Sequence, residues 1–288
     1  MEKLFVNNNG TLLENEGPTL EAANRGHLYG DGLFESIRII NGQVVNLDIH
    51  ITRLKEGMTV LKMRIPQFFT AAFFKEKINE LINKSSISQG GKVRLSVDRS
   101  RGGTYRPASN EASFFIEVYP LPNNEFELNS KGWEVDLFTE LKKQKTILSN
   151  FKTKNALISV LAAIEAKEKD LDDLLLTDSK GSILEASSSN LFLVSNGVLY
   201  TPGLDEGCLG GTMRMTIINI ALENNIKVYE SGIMPQNLLA ADEVFLTNAI
   251  NGITWVQGYR TKRYKNEMAA KLIQLLNSQL IDAPMNMM

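Results

Sequence analysis

Phe34-Glu35-Ser36-Ile37-Arg38-Ile39-Ile40-Asn41-Gly42-Gln43-Val44-Val45-Asn46-Leu47 decides how the first half of the chain is read. Its first seven residues alternate as a strand does, and Asn41-Gly42 reads as a tight hairpin turn into a second strand. Upstream, residues 4–7 form another short strand pattern that ends at a second turn signal, Asn9-Gly10. Downstream, apolar residues recur at helical spacing from about Leu47 to Leu61 and from Phe68 to Ile82, and residues 92–98 and 113–120 then alternate like strands. The first half is therefore expected to be an α+β unit.

The 288 residues are 43% hydrophobic and 22% charged, enough to bury a core without a metal or disulfide staple. The formal net charge of −2 comes from 31 basic and 33 acidic residues spread along the chain. That balance leaves no basic field of the kind nucleic-acid binding requires. The N-terminus lacks the apolar core of a signal peptide, and no run approaches the roughly 18 apolar residues of a spanning helix, so a cytoplasmic protein is expected. A single cysteine, Cys208, excludes an internal disulfide and fits a reducing compartment. His27 and His50 are the only histidines, which argues against a zinc site.

Pro120 and Pro122, followed by a polar stretch, mark a linker, because closely spaced prolines resist both helix and central strand. The expected division is a small domain over 1–119, a linker over 120–130 and a larger domain over 131–288. The larger domain opens with a strand pattern at 133–138, a helix from about Lys154 to Lys169, and a strand at 173–178. Turns at Ser179-Lys180-Gly181 and Ser195-Asn196-Gly197 accompany strands at 190–194 and 198–202. A turn at Leu209-Gly210-Gly211-Thr212 then feeds a helix over 213–225. A strand at 227–233, a short helix near Leu238, strands at 243–248 and 252–256, and a helix from about Met268 to Leu280 complete the chain. There is no internal repeat.

Three stretches stand out chemically. Asn24-Arg25-Gly26-His27-Leu28-Tyr29-Gly30-Asp31-Gly32 precedes a strand, and by itself it reads as a loop whose glycines take positive φ. A phosphate-cradling loop would need a helix directly after it. Phe151-Lys152-Thr153-Lys154-Asn155 leads into a helix. Lysines are mostly solvated surface residues, and Lys142, Lys143 and Lys145 read that way; Lys152 and Lys154 could be the same. Glu185, ahead of Ser187-Ser188-Ser189-Asn190, could be no more than part of a turn.

Taken together these stretches resemble the class IV aminotransferases, the fold type IV pyridoxal-phosphate enzymes. The resemblance spans nearly the whole chain. It rests on Arg25-Gly26 with Tyr29-Gly30-Asp31-Gly32 and Phe34-Glu35, on His50 with Arg53-Leu54, and on a lysine followed three places on by Asn155. It continues with Glu185 and Ser187-Ser188-Ser189-Asn190, with Gly211-Thr212-Met213-Arg214, and with Thr247-Asn248-Ala249. The fold it implies is a two-domain α+β architecture like that of D-amino acid aminotransferase, with the cofactor between the domains and a homodimer as the assembly.

The resemblance makes Lys152 the Schiff-base lysine, which anchors pyridoxal 5′-phosphate and then moves a proton at the substrate carbon. Glu185 is implied to face the pyridine nitrogen and keep it protonated. Arg53 is implied to bind the phosphate. The backbone amides of Thr212 and Met213, at a helix N-terminus, and the turn at Asn248 and Ala249 are implied to hold the same dianion. Tyr29, Arg94, Arg99 and Tyr105 are candidates for binding substrate, with Arg101 and Arg106 as further carboxylate grips.

Within the family, Met213, the Asn248-Ala249 pair and residues 99–105 look like aminodeoxychorismate lyase, which releases 4-aminobenzoate and pyruvate. The alternatives are an aminotransferase acting on branched-chain L-amino acids or D-amino acids, and a catalytically idle relative that serves as a binding protein. One cofactor arrangement serves both reactions, so the substrate pocket decides between them.

Overall fold

In the computed structural model, which describes residues 4–15 and 21–282, Asn41 and Gly42 both take positive φ, 49° and 67°. That is the geometry a two-residue hairpin turn demands, and few residues other than Asn and Gly adopt it cheaply. The chain divides into two units. One comprises Met1–Glu125 with Phe151–Asn155, and the other Phe126–Asn150 with Ala156–Met288.

The first unit contains β1 (Phe5–Asn8), β2 (Thr11–Glu14), α1 (Arg25–Tyr29), β3 (Gly32–Ile40), β4 (Gln43–Val44), α2 (Leu47–Val60), α3 (Ala71–Lys84), β5 (Gly91–Arg99) and β6 (Ala112–Pro120). Its strands form one antiparallel sheet in the order β2-β1-β6-β5-β3-β4. Alternation along β3 and β5 sends Leu33, Ile37, Ile39, Val93, Leu95 and Val97 into an apolar cluster with Ile51, Leu54 and Met58 of α2 and Phe74, Ile78 and Leu81 of α3. The glycine-rich stretch read as a loop contains the short helix α1. Asn24 caps it by accepting from the His27 N–H at 3.1 Å, and Gly30, at φ 64°, ends it.

The lysine-bearing segment belongs to this unit, whereas the sequence reading gave it to the larger domain. The reason is backbone pairing. The Phe34 N–H donates to Lys152 O and the Lys154 N–H to Gly32 O, both at 2.9 Å, so residues 152–154 lie against the start of β3. Committing these amides to β3 also delays the following helix, expected from Lys154, to Leu157.

The second unit contains β7 (Trp133–Leu137), α4 (Leu157–Glu168), β8 (Asp173–Thr177), β9 (Ile183–Ala186), β10 (Asn190–Ser195), β11 (Val198–Thr201), α5 (Thr212–Glu223), β12 (Val228–Glu230), α6 (Pro235–Ala240), β13 (Glu243–Asn248), β14 (Gly252–Tyr259), β15 (Lys262–Arg263) and α7 (Glu267–Asp282). The strand order is β12-β11-β10-β13-β14-β7-β8-β9 with β15 on β14, and β9 also pairs back onto β10, so six strands close into a ring. β8 is buried along its whole length. Leu174 and Leu176 pack with Ala162 and Ala166 of α4 while Leu175 enters the cluster of β10, β13 and β14. Covering a strand on both faces explains its unbroken apolar run. Among the described residues no helix is long and apolar enough to cross a membrane.

Phe74 is fully buried at the centre of three edge-to-face aromatic contacts in the first unit's cluster. Phe74→Ala should lower the stability of that unit by about 3–5 kcal/mol, read as a shift in the denaturant unfolding midpoint.

Candidate active site

Each unit carries a cluster of charged side chains. In the first, Glu35 sits on the apolar face of β3, 1% exposed, beneath α2. His50 and Arg53 are three positions apart on α2 and therefore share a helix face. His50 Nδ1 lies 2.6 Å from Glu35 Oε2, Arg53 Nε donates to Glu35 Oε1 at 2.9 Å, and Arg53 Nη2 donates to Glu35 Oε2. Burial alone would raise the Glu35 carboxyl, but Arg53 and His50 outweigh it and hold it below the usual carboxylate value. Burial drives His50 the other way from its ordinary 6.5, with Arg53 and Lys152 adding to the fall against the pull of Glu35. His50 is therefore neutral at pH 7, and its Nδ1–H is the donor to Glu35.

Lys152 places its ammonium 4.4 Å from the centroid of the Phe34 ring, and the Arg94 guanidinium lies 4.1 Å from the same centroid. Lys154 is engaged elsewhere. Its Nζ pairs with Asp98 Oδ1 at 2.5 Å, and Asp98 is 3% exposed. Asn155, whose spacing from Lys152 drew attention in the sequence, donates from Nδ2 to Gly30 O at 3.4 Å and packs against the end of α1. A side chain at Gly30 would strike Asn155 Oδ1, so the pair fixes where the lysine segment meets α1.

Arg99 does not offer a substrate grip. It is 7% exposed, and it donates from Nε to Asp31, from Nη1 to Asn110 Oδ1 at 2.7 Å and from Nη2 to Leu61 O at 2.6 Å. Internal acceptors fill the fork of the guanidinium. Arg101 pairs with Glu21 at 2.8 Å, and Arg106 is exposed. Tyr105 is 92% exposed, its ring 5.8 Å from that of the exposed Tyr29. Arg94, half-buried on β5, is the candidate grip that lies on the Phe34 and Lys152 side.

In the second unit Glu185 stands where the strand ring closes, paired with Leu176 of β8 and Asn190 of β10. Its Oε2 accepts the Leu209 N–H at 2.7 Å, and its Oε1 accepts from Lys143 Nζ at 2.5 Å. Lys143 is thus not the solvated surface lysine expected; its side chain is 16% exposed. Gly211 caps the start of α5, and a Cβ there would fall 1.9 Å from Asn190 Oδ1. Thr212 and Met213, both buried, begin α5, so their amides lie at its N-terminus, the positive end of the helix dipole. Asn248 spends its side chain on the turn that follows β13. Its Oδ1 accepts from the Ile250 and Asn251 N–H groups at 3.0 and 2.8 Å, and its Nδ2 donates to Ser189 Oγ at 3.0 Å. That turn presents Ala249 as backbone. Beside it, Thr247 Oγ1 is buried with no hydrogen-bond partner among the described residues.

Sequence reasoning assigned no role to Asp31, Asp98 or Lys143. Asp31 joins Arg25 and Arg99, accepting from the Nε of each at 2.9 Å, and its signal was its place in the Tyr29-Gly30-Asp31-Gly32 motif. The others lack even that, since each pairs with a residue distant in sequence.

A family model for amino-transferase class IV matches residues 32–259. A Methanocaldococcus jannaschii protein provisionally named a branched-chain-amino-acid aminotransferase is 29% identical, covering 97% of this chain and 96% of its own. A D-alanine aminotransferase of Listeria monocytogenes is 28% identical over 89% of this chain and 88% of its own. An aminodeoxychorismate lyase of Vibrio harveyi is 23% identical over 89% and 93%. The crystal structure of a Brucella abortus aminotransferase bound to pyridoxal phosphate shares the fold, with a TM-score of 0.86, 22% identity, and 98% and 100% coverage.

His50 and Glu35 both lie below their ordinary values, so in acid the folded chain binds fewer protons than the unfolded one and stability rises with pH. The His50 contribution is complete above its ordinary 6.5 and declines as pH falls below it; that of Glu35 declines only below 4.5. Urea midpoints should therefore drop between about pH 7 and pH 5. His50→Gln should flatten that slope, and an unaltered slope would show that His50 is not its source.

Proposed function

Because the chain belongs to the class IV amino-transferase family, we propose that it is a pyridoxal 5′-phosphate enzyme that transfers the amino group of a small amino acid. The observation that carries this reading is the setting of Lys152, pinned through its backbone to β3 with its ammonium over Phe34, in the unit that holds Arg53, Glu35 and Arg94.

The donor set suits such a cofactor. Lys152 supplies an amine for covalent attachment. In the first unit Arg53 is a donor suited to a dianionic phosphate; in the second unit the first-turn amides of Thr212 and Met213 are donors of the same kind, and the Asn248-Ala249 turn lies beside the Thr247 hydroxyl, which has no hydrogen-bond partner among the described residues. Glu185 supplies the carboxylate for a ring nitrogen. When bound, the cofactor provides an electron sink for charge that develops on the substrate carbon. With the cofactor bound, the Lys152 amine would be the base that takes a proton from that carbon and the acid that returns one during transfer. Glu185 would hold the proton on the ring nitrogen, and Arg94 would grip the substrate carboxylate.

A lyase that releases 4-aminobenzoate and pyruvate is the second reading, favoured by Met213 and the Asn248-Ala249 pair. It loses support because Arg99, in the stretch that carried the likeness, is consumed by Asp31, Asn110 and Leu61. We also assign the working form as a homodimer. On α4, Leu157, Val160, Leu161 and Ile164 expose between 42% and 77% of their surface as one aliphatic stripe, which a second copy would cover. The sole cysteine is buried, with its thiol pushed up to about 11 by burial, and it fits the cytoplasm.

Borohydride should fix the cofactor on the peptide bearing Lys152, and Lys152→Ala should cut amino transfer by at least about 10²-fold while Lys154→Ala retains labelling. Donors to assay are L-leucine, L-valine, L-glutamate and D-alanine, beside release of 4-aminobenzoate and pyruvate from aminodeoxychorismate. Lyase turnover with no transfer from any donor would replace the first reading with the second. Val160→Glu with Ile164→Glu should halve the mass seen by light scattering; an unchanged mass would remove α4 from the interface.

A further inference from the structure

The Glu185 carboxylate is clamped from two sides. The Leu209 N–H fixes one oxygen at 2.7 Å, so the group cannot rotate away from Lys143, whose ammonium sits 2.5 Å from the other. The reach of Lys143 is itself fixed: its N–H donates to Thr177 O at 2.9 Å, and Lys142 Nζ donates to Thr177 Oγ1 at 2.9 Å, which ties this stretch to the end of β8. The strands flanking Glu185 bring no charge, since its neighbours there are Leu176 and Asn190. Cys208 nearby is neutral because burial raises its thiol to about 11, and Arg214 is committed to Pro202 O and Glu230. Among the described residues Lys143 is the only side chain paired with Glu185.

We propose that Lys143 is a positioning residue that shares Glu185 with the ring nitrogen of the cofactor and weakens the carboxylate's hold on the ring proton. This rests on the role given to Glu185 above. Two cations that share one carboxylate repel each other, and each draws off charge the other would use. At a few ångströms in a partly solvated site, that repulsion is worth about tenfold or more in an equilibrium. Lys143 thereby moderates the electron sink, and removing its charge strengthens the interaction between Glu185 and a protonated ring.

The test compares affinities of the full-length protein, freed of cofactor, for pyridoxal phosphate and for its deaza analogue, in which carbon replaces the ring nitrogen. The ratio of the two affinities isolates what the ring nitrogen contributes. Lys143→Gln and Lys143→Met should widen the preference for pyridoxal phosphate by about tenfold. Lys143→Arg should keep the wild-type ratio, and Glu185→Gln should level it. Ring-nitrogen NMR of the loaded protein should move toward the protonated value in Lys143→Gln. Equal changes in both affinities, or a narrowed ratio, would make Lys143 merely structural and overturn the proposal while leaving the cofactor reading intact. Wild-type protein that binds neither compound would overturn both.

Discussion

A carboxylate on the apolar face of a sheet is tolerable only when its charge is met from close by, and Glu35 meets that condition through two side chains of one helix. Arg53 supplies the countercharge and His50 a neutral donor, so no oxygen of the carboxylate is left facing hydrocarbon. The spacing that lets both reach Glu35 also sets the rotation of α2 about its own axis, with Leu54 and Met58 turned into the core. The same strand offers Phe34 to the other side, where its ring carries Lys152 and Arg94. Adjacent residues of β3 thus serve two surfaces, one holding an arginine and the other a lysine. A slip of one residue in register would exchange them.

The second unit builds its carboxylate differently. Glu185 is held at the joint of a ring of strands by a backbone amide and a lysine, 24 and 42 residues away along the chain, so its placement depends on partners from outside its own hairpin. Glu35 rests on a local hairpin and the helix that follows it. Both sites use a partly or fully buried cation, and the partner of each is one that cannot drift, because backbone hydrogen bonds hold it in place.

Most of the fold was legible because its signals are local. The Asn41-Gly42 turn, the alternation of β3, β5 and β6, and the helical spacing of α2, α3 and α7 each depend on neighbours within a few residues. The same holds for Gly211 before α5. What escaped the sequence depends on partners far along the chain. Nothing around Lys143 distinguishes it from Lys142 or Lys145, and only the approach of Glu185 does. Arg99 reads as an available guanidinium until Asp31, Leu61 and Asn110 surround it. Lys152 reads as part of the segment before a helix, and its membership of the first unit follows from backbone pairing with β3 that no side-chain pattern announces.

That pairing imposes an order on biosynthesis. The N–H of Phe34 is met by a carbonyl that emerges from the ribosome long after β3, once the first strand of the second unit has already been made. A nascent chain that ends at Glu125 therefore has the buried members of the hydrophobic cluster but lacks Phe151, which packs against it, and leaves an unfinished strand edge, open to any extended segment that passes. The residue read as the catalytic lysine lies in the five-residue piece that closes this edge, so completion of the sheet and arrival of the lysine are one event.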